Sequence, residues 1–123
     1  MADILFKELS YAIVGAAMEV HKLLGPGFLE KVYQKALAHE LTLCGIPFEE
    51  YKRLTVRYKG VVVGDYEADF VVAGKIILEL KAVENIHPKH MVQTRNYLTT
   101  TGFKLGIVLN FGASSLQHKR TIN

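Results

Sequence analysis

YEADFVVAGKIILELKAV, residues 66–83, is the stretch on which the fold turns. In it, Ile76-Ile77-Leu78 and then Leu80 are apolar on both faces of an extended chain, so the run predicts a central strand covered from both sides. An odd-numbered turn at Ala73-Gly74-Lys75 sets Val72 opposite Ile76 and, three steps further out, Asp69 opposite Glu79. Carboxylates opposed at about 5 Å destabilise a sheet. Burial makes matters worse, raising the pKa or demanding a partner. A divalent cation answers both problems. Mg²⁺, or Mn²⁺ in its place, takes few protein carboxylates and completes its shell with water and substrate phosphate. Lys81 shares the face of Glu79 roughly 6–7 Å along the strand, where an amine can orient or deprotonate a water or neutralise charge on a phosphate. The plainer reading makes Glu79 and Lys81 solvated strand residues and Asp69 a loop cap. Against it, Glu79 interrupts an otherwise apolar strand with no other polar position before Lys81.

Working outward, residues 4–24 carry Leu5, Leu9, Ala12, Ala16 and Val20 at helical spacing and end at Gly25-Pro26-Gly27. A second helix is expected over 28–43, with a stripe of Leu29, Val32, Tyr33, Ala36, Leu37 and Leu41, and with Gly45 just past its end. The period then shortens to two. Leu54, Val56 and Tyr58 alternate with Thr55 and Arg57, and a second extended stretch covers 61–63 and 66–72, with Gly64-Asp65 marking a turn or bulge. The third strand is expected over 76–83. Pro88 opens a last helix to about Thr100, stopped by Gly102, and 104–110 is a final buried strand. The expected order is α-α-β-β-β-α-β, an α/β (α+β) arrangement with a central mixed sheet flanked by helices.

The 123 residues fit one domain, residues 1–123. Half of them are apolar and 22% are charged, a composition that supports a packed core. A net charge of +3 is compatible with a nucleic-acid partner without indicating one. The single cysteine, Cys44, excludes an internal disulfide and suits a reducing compartment; near a helix end it reads as a small buried hydrophobe. The N-terminus has acidic Asp3 and no basic stretch before its apolar residues, and residues 11–20 are too few to span a membrane. A cytoplasmic protein, away from membranes, is the expectation. A small domain with apolar helices is also compatible with a homodimer.

Asp69 followed by Glu79-Leu80-Lys81 at the end of an apolar strand resembles the D…(D/E)-x-K signature of the PD-(D/E)XK nuclease superfamily. Gly27-Phe28-Leu29-Glu30-Lys31-Val32-Tyr33 is similar to the pattern of the small GxxExxY proteins assigned to that superfamily. Val20-His21 before Leu24-Gly25-Pro26-Gly27, and residues 104–112, look like further landmarks. The resemblance covers nearly the whole chain. It implies a restriction-endonuclease-like core and metal ligation by Asp69, Glu79, the Leu80 carbonyl and Glu30, with Lys81 as catalytic base. It also implies a substrate-positioning pair, Gln93 and Tyr97, similar to the Q-x-x-x-Y motif of RecB-like members. Where many members carry proline before the motif aspartate, this chain has Ala68.

Several residues have two readings. Glu30 also suits the helix dipole as a first-turn acid. Tyr33, three residues on, is either a substrate contact or an aromatic at the core edge. Arg57 and Lys59, in a basic stretch with Lys52 and Arg53, suit phosphate contact or an ordinary solvated face. His87 and His90 lack the further ligands of a zinc site and read as a solvated loop pair. The sequence thus points to a Mg²⁺-dependent hydrolase of DNA or RNA acting through metal-activated water. The alternative is a catalytically silent module of the same fold that binds nucleic acid or protein.

Overall fold

The computed structural model describes residues 5–123, so Ile4, at the expected start of the first helix, lies outside the described residues. The elements run α1 (Lys7–Leu24), α2 (Glu30–Leu43), β1 (Phe48–Tyr58), β2 (Val61–Val72), β3 (Ile76–Lys81), α3 (Pro88–Thr101), β4 (Leu105–Asn110) and β5 (Gln117–Ile122). The strands form one sheet in the order β1-β2-β3-β4-β5. It is mixed: β3 and β4 are parallel, joined through α3, and the other neighbours are antiparallel.

The expected order is thus one strand short. Residues 117–122 turn polar and basic (Gln-His-Lys-Arg-Thr-Ile), and half of them are exposed. An edge strand with charged side chains hides from a search for apolar alternation. It is held by the β4 ladder and by Arg120, whose guanidinium donates to Ser10 Oγ at 2.7 Å and to the Leu5 carbonyl at 2.8 Å, tying the edge to α1. The third strand is shorter than expected. Val83 leaves the ladder because the Asn110 side chain takes both its backbone groups, accepting from Val83 N and donating to Val83 O, each at 2.9 Å.

Helices α1 and α2 cover one face. Ile13, Ala17, Val20, Tyr33, Leu37 and Leu41 pack on Phe70, Ile76, Leu78, Leu80 and the buried strand β4. Each fully buried aliphatic side chain there contributes about 1.5–3 kcal/mol. Helix α3 covers the other face, with a smaller core of Tyr66, Ala68, Val71, Ile77 and Leu98. It lies close because Gly106 has no Cβ, which would stand 2.8 Å from the Thr94 methyl.

One irregularity governs the site. Along β2, Tyr66 and Ala68 belong to the α3 core, whereas Phe70 and Val72 belong to the α1/α2 core. β1 does the same, with Phe48 on one side and Leu54 and Val56 on the other. Both strands therefore exchange faces at the opposed positions Tyr51 and Asp69, between the pairs Glu50↔Phe70 and Lys52↔Ala68. Tyr51 has φ +51°, a left-handed conformation that costs a bulky residue about 1–3 kcal/mol. The ladder from β2 to β3 also ends here, its last pair being Phe70↔Leu78. Further out, β2 carries an extra residue, Val63, where the β1 register shifts, which is the bulge that Gly64 foreshadows.

Candidate active site

The three-residue turn sets Val72↔Ile76, Val71↔Ile77 and Phe70↔Leu78. Beyond that the strands part, and the carboxylate of Asp69 fills the gap: its Oδ2 accepts the Leu80 N–H at 2.8 Å. Asp69 is thereby tied to the β3 backbone one residue past Glu79, at the mouth of the split hairpin. Burial raises the Asp69 pKa, and Glu67 adds to the rise, while the Leu80 hydrogen bond and Lys81 oppose it.

Glu79 is poorly placed for a charged carboxylate. Burial is the chief cause that pushes its carboxyl up to about 8, with Lys81 opposing and Glu30 adding to the shift. Its Oε1 is buried with no hydrogen-bond partner. Glu30, at the first position of α2, also has a raised pKa, from burial first and then from Asp69, with Lys81 lowering it. The acids thus act on one another through charge, Asp69 on Glu30 and Glu30 on Glu79. Lys81 lies within electrostatic reach of all three acids, yet the one ion pair within 4 Å among the described residues is Lys52–Glu49.

An unpartnered, desolvated carboxylate oxygen next to a second carboxylate is what a hard cation resolves. The donor set fits: Asp69 and Glu79 offer oxygens, and the Leu80 carbonyl lies between Glu79 and Lys81 in the chain. Among the described residues no three His, Cys, Asp or Glu side chains converge into a ready-made cage. Mg²⁺ does not require one, because it retains several waters.

Tyr33 requires a correction. It is fully buried, so it cannot touch a substrate. Its hydroxyl donates to the Gly25 carbonyl at 2.6 Å and accepts from Phe28 N at 3.1 Å, and its ring stacks on Phe111 at 4.7 Å. The spacing Gly27…Glu30…Tyr33 is therefore a latch. Tyr33 pins the loop ahead of α2, Gly27 supplies φ +110°, and Glu30 emerges at a fixed place.

Gln93 and Tyr97 do meet, with Gln93 Nε2 donating to Tyr97 Oη at 3.3 Å, and Tyr97 stacks face to face on Tyr66 at 3.5 Å. Arg57 and Lys59 do not join the carboxylates. Arg57 pairs with Val62, seven residues from Asp69 and so about 23 Å along the strand. Lys59 occupies the hairpin turn, its amine 5.4 Å from the Tyr58 ring centroid. Cys44 is exposed rather than buried, capping the surface end of α2.

Two features escaped the sequence reading. Gln34 is buried and donates to the Asp69 carbonyl at 3.1 Å and to Glu50 at 3.2 Å, bracing the kink. Its signal was its place, four residues after Glu30 on the same helix face. His87 and His90 are not a loose loop pair. His87 Nδ1 accepts from Lys89 N and His90 Nδ1 accepts from His87 N, each at 3.1 Å, a reciprocal cap on α3.

Fold and site together describe a mixed-sheet α/β domain with two carboxylates and a lysine at the opening of a split hairpin. Residues 7–121 match the PD-(D/E)XK nuclease superfamily, and the chain belongs to it. Among solved structures it is similar to an alkaline exonuclease, LHK-Exo, from Laribacter hongkongensis. The TM-score is 0.55 at 11% identity, over 100% of this chain and 72% of the exonuclease. At that identity the likeness is one of fold. No curated protein matches the sequence. Among the described residues no helix is long and apolar enough to cross a membrane.

Proposed function

We propose that the chain is a divalent-metal-dependent nuclease, hydrolysing phosphodiester bonds of DNA or RNA. The observation that carries this reading is Glu79: a buried carboxylate with an orphaned oxygen, in the field of Lys81 and Glu30 and one residue before the Leu80 N–H that Asp69 holds, in a chain of a nuclease superfamily. Asp69, Glu79, the Leu80 carbonyl and Glu30 would hold Mg²⁺ or Mn²⁺. Bound there, the ion supplies Lewis acidity toward a phosphate oxygen and acidifies water. Lys81 sits where its amine can hold the attacking water and offset charge gathering on the phosphate. The Asp69–Leu80 hydrogen bond and the Gln34 brace keep the carboxylates in place, so little reorganisation accompanies reaction. Gln93 and Tyr97 would position the substrate strand, with Arg57 and Lys59 as distant phosphate contacts. Glu30 and the Tyr33 latch support placing the chain with the GxxExxY proteins.

The alternative reading is a catalytically silent module of the same fold that binds nucleic acid or protein. Incubation of the protein with labelled single- and double-stranded DNA and RNA separates the two. Cleavage that needs Mg²⁺ or Mn²⁺, stops with chelator and falls at least 100-fold in Lys81→Met, while calorimetric metal binding persists, is the expected result. No cleavage under any metal, or undiminished cleavage by Lys81→Met, would sink the proposal.

A further inference from the structure

Position 51 holds a residue that its backbone does not favour. A left-handed φ is met at least strain by glycine or asparagine, yet tyrosine stands there with φ +51°. The ring does not offset this by packing, for Tyr51 is 48% exposed and belongs to neither core. Its place is particular: it lies opposite Asp69 in the β1–β2 register, between Glu50↔Phe70 and Lys52↔Ala68. Its hydroxyl pKa is raised, by burial first and then by Glu50, Asp69 and Glu67, so the ring stands within the field of the site's own carboxylate.

We infer that Tyr51 is a stacking platform for an unpaired nucleobase of the strand whose phosphate lies between Asp69 and Lys81. This inference rests on the nuclease reading and deepens it. An exposed aromatic face beside the site offers a sequence-tolerant surface for any base. A base inside a continuous duplex has both faces covered by its neighbours. The substrate class is therefore single-stranded nucleic acid, or a strand unpaired next to the cut. Tyr51 is a positioning residue: it sets which phosphate reaches the carboxylates and takes no part in bond breaking.

The test uses single-stranded oligodeoxynucleotides carrying one 2-aminopurine at successive positions, bound to the Lys81→Met protein in Mg²⁺. Quenching should peak at one position, persist in a Tyr51→Phe background and vanish in Tyr51→Gly. The glycine variant should bind the oligonucleotide roughly 5- to 150-fold more weakly, the range that one base–aromatic stack spans. Its melting temperature should be unchanged or higher, because the strain is relieved. Unaltered quenching in Tyr51→Gly, equal loss in Tyr51→Phe, or a melting temperature lowered by several degrees alongside the binding would each overturn the inference. Wild-type protein that never cleaves yet quenches through Tyr51 would refute the nuclease reading and leave the platform standing. Cleavage undisturbed in Tyr51→Gly would do the reverse.

Discussion

Replacing Glu79 with glutamine should make the metal-free protein more stable, by an amount that depends on pH. The carboxyl rises from its ordinary 4.5 to about 8 on folding, so the folded state holds a proton that the unfolded state has released. A group raised in this way gives its full support below about pH 4.5. That support is lost as pH climbs to about 8, and the loss is constant above it. The slope is at most about 1.4 kcal/mol per pH unit. At pH 7 the accumulated loss is about 3 kcal/mol as an upper figure, or about 10 °C of melting temperature for a domain of this size. Glutamine has nearly the shape of the protonated acid and no titration, so the variant should match wild type near pH 4.5 and exceed it increasingly up to pH 8. Chelator-treated protein, unfolded by heat or urea at half-unit steps from pH 4.5 to 9, reads this directly. Saturating Mg²⁺ at 100 times its dissociation constant should then stabilise wild type by about 2.7 kcal/mol and the variant far less. A flat wild-type profile between pH 5 and 8, or a variant less stable than wild type at pH 8, would refute the claim that Glu79 is a desolvated charge awaiting a cation.

Gln34→Leu should lower stability by about 1–3 kcal/mol, because the Asp69 carbonyl loses its partner, and should lower kcat more than substrate affinity; urea unfolding and steady-state cleavage check the two halves. His90→Ala should cost about 1 kcal/mol above pH 7 by removing half of the α3 cap. Burial, then Lys81, His87 and Lys89, lower the His90 pKa, so the neutral acceptor is the folded form. The stability it supplies is present above the ordinary pKa of 6.5 and fades as pH falls, so melting curves of the two proteins should converge in acid.

Much of the fold was legible because its strongest signals were local. The apolar run 76–78 marked the central strand, and the odd turn after Val72 set the register as far as Phe70↔Leu78, beyond which Asp69 leaves the ladder and accepts the Leu80 N–H. The two glycines around Pro26 separated the helices. What stayed hidden depends on distant partners. β5 is polar because it is an edge. Val83 leaves its strand because Asn110, 27 residues on, takes its backbone groups. Tyr33 is indistinguishable in sequence from a substrate contact, since a latch to Gly25 and a hydroxyl facing solvent call for the same residue. Gln34 and the two capping imidazoles are polar side chains whose meaning lies in which backbone group they meet.

The face exchange at Tyr51 and Asp69 bears on how the molecule comes apart. A single pair of strands serves two cores of unequal size, the larger under α1 and α2 and the smaller under α3. Opening is least costly where the fewest apolar contacts are lost, which places the weaker unit in α3 and the outer half of the hairpin. The seam between the units runs through the carboxylates themselves. Asp69 stays hydrogen-bonded to Leu80 on the stronger side, while Gln93, Tyr97 and Tyr66 belong to the weaker one. Local opening should therefore begin in α3 and the outer half of the hairpin and leave the Asp69–Leu80 hydrogen bond intact.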